Sequence, residues 1–314
     1  MLLIGLFQYA IRETTEFENQ MISVERILEY GKLDVEKVSE NVVQMADVWP
    51  IEGCLRYESV GLLYPSCEKP ILEDVSFNVA SAQKIGIVGR TGAGKSSLIT
   101  VLFRLAQPSG SIYIDGIDTK QLTLKQLRKN ISIIPQDPVL FSGTIRRNLD
   151  PFNEYSDDRL WACLANANLD KLVRDMNGHL DAPVTEGGSN LSVGQRQLLC
   201  LARALLKQNK VLVLDEATAN VDHETDELIQ TTIREQFKSC TVLTIAHRIN
   251  TIIDADKVLV MDAGRVVEYD AAHVLLEQKG TFYEMVRQTG PQMAAVLHQA
   301  AKNSFVSKLN KLAK

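Results

Sequence analysis

The chain has 314 residues, with 34 Lys and Arg against 39 Asp and Glu, a formal charge of −5. Hydrophobic residues make up 45% and charged residues 23%, with a mean hydropathy of −0.05, which excludes a disordered chain, a collagen and a polytopic membrane protein. The pI near 5.7 argues against a nucleic-acid partner, and the unpaired spacing of Cys54, Cys67, Cys163, Cys200 and Cys240 argues for reduced, mostly buried thiols rather than a disulfide frame or zinc site.

The chain begins with the apolar run Leu2-Leu3-Ile4-Gly5-Leu6-Phe7-Gln8-Tyr9-Ala10-Ile11, stopped by Arg12. Crossing a bilayer takes roughly 20 apolar residues, so the run is too short to span. It also lacks the basic leader and small-residue cleavage site of a signal peptide. Two readings stand: a short buried helix, or the cytoplasmic end of a spanning helix. Beyond it, Phe17, Met21, Val24 and Leu28 fall on one helical face, and Gly31 is a stop. Residues 32–50 lack a clean period, end in Trp49-Pro50 and read as a linker.

Residues 84–96 contain Gly89-Arg90-Thr91-Gly92-Ala93-Gly94-Lys95-Ser96, entered by an apolar run and followed by the helical pattern Ser97-Leu98-Ile99. This is G-x-x-x-x-G-K-[ST] between a strand and a helix. Glycines let backbone N–H groups converge on phosphate oxygens, and the helix N-terminus adds partial positive charge. Lys95 reaches for β- and γ-phosphates, and Ser96 for Mg²⁺. A plain glycine turn would not need a Lys-Ser pair at this spot.

Further along, Ser156 is read as the cap of a helix with Asp157 and Asp158 in its first turn. Leu191-Ser192-Val193-Gly194-Gln195-Arg196-Gln197 precedes an apolar helix to Leu206. Ser192 and Gln195 form S-x-x-Q, an ordinary capping box, yet a helix N-terminus with Gly194 also suits an anion. Val211-Leu212-Val213-Leu214 reads as a strand buried in a parallel sheet, ending in Asp215 and Glu216. Ligands bind at such carboxyl ends; Asp215 there can hold Mg²⁺ and Glu216 can polarise a water. Thr241–Ala246 is a further strand, and Val258–Met261 with Val266–Tyr269 suggests a closing hairpin through Asp262-Ala263-Gly264. After Gly290-Pro291, Val296, Phe305, Leu309 and Leu312 alternate with lysines. A basic amphipathic helix of that kind lies on a membrane or, as favoured here, docks on its own domain.

The order of phosphate loop, Gln136 loop, L-S-x-G-Q, acidic strand and late His247 resembles the nucleotide-binding domain of an ATP-binding-cassette (ABC) protein over roughly residues 51–290. The resemblance implies an α/β P-loop NTPase fold with a parallel-sheet core, an antiparallel edge near 51–80 and a helical signature lobe at about 136–192. It implies ATP and Mg²⁺ as ligands. Gln136 would sense Mg²⁺ and couple to the membrane domains. Ser192, Gly194 and Gln195 would meet the γ-phosphate held by a partner cassette, and Asp222 would belong to the D-loop. His247 would orient Glu216, and Tyr64 would stack on adenine, although a core strand aromatic is its ordinary alternative.

The stretches 89–95, 147–152 and 190–196 are similar to the second nucleotide-binding domain of subfamily C, the multidrug-resistance-associated proteins. Residues 7–12 and 23–30 are similar to the end of the last membrane helix there. This favours residues 1–12 as the end of a spanning helix, 13–50 as a helical extension and linker, and 291–314 as a tail. Ser81-Ala82-Gln83 departs from the family at the turn before the phosphate-loop strand. The implied function is ATP hydrolysis powering efflux of organic anions, conjugates or drugs, at the cytoplasmic face of the plasma membrane. The implied partners are transmembrane domains and a first cassette bound head to tail. A soluble or a regulatory cassette is the alternative; the chain has no long coiled-coil insertion, and it keeps both Glu216 and His247.

Overall fold

The computed structural model describes residues 2–33, 35–36, 49–65, 67–217, 221–246 and 248–312. The chain divides into two units, one carrying the N-terminal helix and the other everything from Trp49 onward. The helix, α1 (Leu2–Gly31), is continuous: the apolar run and the amphipathic segment form one element ending at Gly31. Its apolar side chains are exposed, Phe7 at 69% and Leu28 at 58%. Among the described residues no helix is long and apolar enough to cross a membrane. Most of the 32–50 linker, residues 37–48, lies outside the described residues.

In the second unit, β1 (Leu55–Leu62), β2 (Leu72–Val79), β3 (Lys84–Gly89) and α2 (Lys95–Leu102) are followed by β4 (Ser109–Ile114), β5 (Ile117–Asp118), α3 (Leu124–Lys129) and β6 (Ile131–Ile134). Next come β7 (Gly143–Thr144), α4 (Ile145–Leu149), α5 (Asp157–Asn166), α6 (Asp170–Asp175), β8 (Pro183–Val184) and α7 (Val193–Lys207). The remainder is β9 (Val211–Asp215), α8 (His223–Gln236), β10 (Thr241–Ile245), β11 (Lys257–Asp262), β12 (Arg265–Asp270), α9 (Ala272–Gln278), α10 (Thr281–Arg287) and α11 (Pro291–Leu312).

Two sheets organise these elements. An antiparallel sheet has the order β2-β1-β4-β5, so the antiparallel edge extends past residue 80 to Asp118. A six-stranded sheet has the order β12-β11-β3-β10-β9-β6, parallel except for β12. The near-continuous burial of β9, β10 and β11 is what a parallel sheet covered on both faces requires. The closing hairpin is β11–β12, with Asp262 opposite Arg265 and both turn residues, Ala263 and Gly264, at positive φ. The turn at Ser81-Ala82-Gln83 is closed by Gln83, whose side-chain oxygen accepts from Ala80 N at 2.9 Å.

One core joins the antiparallel sheet to β3 and α2, through residues such as Leu72, Ala93 and Leu98. Another gathers α4–α8 around Leu160, Leu198, Leu199 and Ile229. A third, holding Ile249, Phe282, Leu297 and Ala301, anchors the C-terminal helices. The tail helix therefore docks on its own domain, with Phe305 of the expected stripe half-buried against the His273 ring at 5.3 Å, but Val296 does not take part. Leu297 and Ala301 are buried while Val296 is 63% exposed, and Lys308 pairs with Asp256 at 2.8 Å. The side chains of Leu309 and Leu312 lie outside the described residues. Ser156 does stand at the N-cap of α5, but its side chain makes no capping bond. Cys163, Cys200 and Cys240 are buried, whereas Cys54 and Cys67 are only half-buried.

Candidate functional site

Register fixes the site. In the parallel sheet Ile245 lies opposite both Ile87 and Asp215, and Ile134 lies opposite Leu214. The carboxyl ends of β3, β10, β9 and β6 therefore open side by side. From them leave the 89–96 loop, the segment of His247, the pair Asp215-Glu216 and the loop of Gln136. His247 itself lies outside the described residues, as do 218–220 between Glu216 and Asp222.

The loop after β3 runs into α2 through Gly94, which takes φ +95° and offers no side-chain cap. A Cβ at Gly94 would stand 2.9 Å from Leu72 Cδ2 and 3.0 Å from the Ile71 carbonyl. At Gly92, φ is +82° and an added Cβ would meet nothing within 4 Å. The loop is thus packed tightly on its inner side and open at its tip, a cradle shaped for an oxyanion that needs N–H donors. The cradle is tied down from both sheets. Gly264 N donates to the Ala93 carbonyl at 3.2 Å, and Glu73 N donates to the Gly264 carbonyl at 2.9 Å. Arg90, Thr91, Gly92 and Ser96 are exposed, Gly89 and Ser97 half-buried and Ala93 buried.

Lys95 is buried, and its ammonium donates to the carbonyls of Gly89 at 2.9 Å and Arg90 at 3.2 Å. Burial holds its pKa below the usual lysine range, and the nearby carboxylates of Glu216 and Asp215 oppose that shift. The structure thus brings Lys95, Asp215 and Glu216 into one electrostatic neighbourhood. Glu216 takes φ +48°, and its N–H donates to the Ile245 carbonyl at 3.1 Å, which turns the chain sharply off the strand end.

The signature residues form a second group, built on the core of α4–α8. Ser192 Oγ accepts from Gln195 N at 3.1 Å, and Gln195 Oε1 accepts from Ser192 N at 2.9 Å, a closed capping box on α7. Gly194 is buried; a Cβ there would come within 3.2 Å of Thr225 and Val221, so its close approach is made to its own domain. Asp222 caps α8: its carboxylate accepts from Thr225 N and from Thr225 Oγ1, both at 3.0 Å, and these bonds hold its pKa low. Tyr64 is half-buried against the core of the antiparallel sheet. It follows the end of β1, where Leu62 pairs with the Leu72 that touches Gly94. Gln136 is exposed, two residues beyond β6.

Sequence reasoning missed the polar residues set into the apolar helix α7. Gln197 Nε2 donates to the Pro135 carbonyl at 3.0 Å, and Arg203 donates to the Val139 carbonyl at 2.9 Å. A Gln and an Arg interrupting the run Leu198–Leu206 and its approach were the available signal.

Residues 72–219 match the family model described as "ABC transporter". The chain is 52% identical over 304 residues to the human ATP-binding cassette sub-family C member 4, covering 96% of this chain and 23% of that protein. It is 50% identical over 311 residues to a probable multidrug resistance-associated protein of Drosophila melanogaster, lethal(2)03659, covering 97% and 23%. Among solved structures, a bacterial Atm1-family ABC exporter with ATP bound superposes with a TM-score of 0.77 at 32% identity, covering 87% of this chain and 48% of that one. The chain thus spans under a quarter of the length of these two curated relatives.

Proposed function

Since the chain belongs to the ABC transporter family, in its C subfamily, and has that family's nucleotide-binding domain, we propose that it hydrolyses ATP as the second cassette of a longer exporter. The observation that carries this reading is the convergence of Lys95, Asp215 and Glu216 at the open ends of β3 and β9, which flank β10 in the parallel sheet. Binding falls to the backbone of Gly89–Gly94, with Ser96 and Ser97 in the first turn of α2, and Tyr64 offers a ring face to adenine. Lys95 exchanges its two loop carbonyls for β- and γ-phosphate oxygens, a charge-assisted contact in a buried setting. Ser96, Gln136 and Asp215 supply oxygen ligands suited to Mg²⁺, which when bound neutralises charge on the phosphates. Glu216 takes the proton of the attacking water, and His247 orients it; the products are ADP and phosphate.

One cassette does not complete this site. Ser192, Gly194 and Gln195 stand at the start of α7 and Asp222 caps α8, two helices packed in the α4–α8 core, and they serve the γ-phosphate of a partner cassette in a head-to-tail pair. The proposed partners are a first cassette and transmembrane domains, with residues 1–12 as the end of the last membrane helix and 13–50 as its extension. Residues 51–290 form the cassette and 291–314 its tail. The proposed work is efflux of organic anions, conjugates or drugs across the plasma membrane, with the cassette on the cytoplasmic face.

In the pair with a first cassette, Glu216→Gln keeps ATP binding and lowers hydrolysis by about 10²–10⁴-fold. Turnover within a few-fold of the parent would remove Glu216 from the chemistry. Activity of the chain alone rises faster than linearly with its concentration and rises again when a first cassette is added. A specific activity constant over a dilution series would overturn the head-to-tail pair.

A further inference from the structure

Gln197 is 1% exposed, in the apolar part of α7. A buried amide is unfavourable there unless bonded, and a helix that needed only packing would carry Leu or Met. Its Nε2 donates to the Pro135 carbonyl at 3.0 Å. Later in the same helix, Arg203 Nη1 donates to the Val139 carbonyl at 2.9 Å. The same guanidinium holds α4 through the Asn148 carbonyl at 2.6 Å and Asn148 Oδ1 at 2.7 Å. Asn148 in turn returns to the loop, accepting from Phe141 N at 2.9 Å and donating to the Phe141 carbonyl at 2.8 Å.

Pro135 and Val139 bracket Gln136, Asp137 and Pro138. One helix therefore grips both ends of the loop by backbone carbonyls and leaves the Gln136 side chain exposed at its crest. The downstream grip is reinforced through Arg203 and Asn148. At the upstream end β6 packs on the same core as α7, and the hydrogen bond described between α7 and Pro135 is that of Gln197. That helix also begins at the Ser192–Gln195 box, so a shift at the box is passed along a rigid rod to the loop.

We infer that Gln197 is a positioning residue, holding the peptide before Gln136 so that Gln136 is presented to the metal-bound phosphates. This rests on the proposed role of Gln136 in the Mg-ATP site. The bond also ties that role to the position of the partner-facing end of α7.

The test uses the full chain, its Gln197→Met, Gln197→Glu and Gln136→Ala variants, and two measurements. Hydrogen exchange reads the segment 134–141. Titration of a fluorescent ATP analogue, with Mg²⁺ varied or removed by chelator, reads the site. Gln197→Met, which keeps length and loses the donor, exchanges faster over 134–141. It needs roughly tenfold more Mg²⁺ for half-maximal analogue binding, as loss of an outer support does at metal sites, while metal-free affinity stays at the parental value. In Gln197→Glu a protonated buried acid still donates, so exchange and Mg²⁺ requirement return toward the parental values as pH falls.

If Gln136→Ala raises the Mg²⁺ requirement but Gln197→Met does not, the positioning role is wrong and the reading of Gln136 stands. If Gln136→Ala leaves the requirement unchanged, it is the reading of Gln136 that fails, and the inference with it. Should Gln197→Met fail to fold, Gln197→Glu decides: a profile parallel to the parent at every pH overturns the inference.

Discussion

Two helices of this domain carry proposed phosphate contacts at their starts, and they begin differently. The first, α2, starts from Gly94 in the left-handed region with no side chain over its end. The second, α7, starts from Ser192 with both halves of a capping box closed. An uncapped end keeps its N–H donors for an incoming anion, while a closed box has already satisfied donors with its own side chains. On the proposed reading the chain binds its own nucleotide at α2. Its α7 meets a partner's nucleotide only by trading box bonds, worth about 1 kcal/mol, for phosphate contacts. The difference separates a site that is ready in one chain from one that is made in the pair.

The largest expected effect tests the open end. Lys95→Ala weakens binding of an ATP analogue to the single chain by roughly 10–100-fold, the range of one charge-assisted bond. Ser192→Ala leaves that affinity unchanged. Equal losses in both variants, read by equilibrium titration, would erase the distinction between the two ends. The same titration across pH sharpens it. Phosphate binding favours the charged ammonium, and burial depresses its pKa. Affinity therefore falls as pH rises, beginning below the usual lysine range; in Lys95→Arg the fall disappears.

A smaller effect concerns how the open end is built. Gly94→Ala forces a Cβ against Leu72 and Ile71 at positive φ and lowers the unfolding free energy by about 1–3 kcal/mol in chemical denaturation. Gly92→Ala carries the strain without the contact and costs less. Equal losses would mean that the inner packing of the loop does not matter. Smallest of all, Ser192→Ala opens the box on α7 and costs about 1 kcal/mol by the same measurement. No change there would mean that the box holds α7 less than its geometry suggests.

The phosphate loop and the acidic strand end were readable because their chemistry permits few residue types at fixed spacing, and the parallel strands because burial on both faces leaves an unbroken apolar run. The box at Ser192 was legible too, because capping is local. Legibility fails where a residue's surroundings come from distant chain. Val296 and Leu297 are adjacent and both apolar; only the position of Ile249 and Phe282 decides that Leu297 is the one buried. Ser156 has the right neighbours for a cap, but its side chain makes no capping bond. Gln197 reads as part of a signature stretch, and nothing local announces that its partner is Pro135. The apolar stripe of α1 was visible in the sequence, whereas its exposure in the structure was not.

The tether between Gly264 and the phosphate loop has a consequence for biosynthesis. The residues proposed to bind phosphate are made early, yet the hydrogen bond that Gly264 N makes to the Ala93 carbonyl comes from a hairpin made much later and held in turn by Glu73 N. A chain leaving the ribosome therefore displays the whole G-x-x-x-x-G-K-S motif long before the motif has its final shape. Ordering it waits for a contact of high sequence separation, which is a slow step in folding. Nascent chains arrested before the β11–β12 turn emerges should therefore not hold nucleotide, and ATP becomes a stabilising ligand only once the parallel sheet has received its last strands.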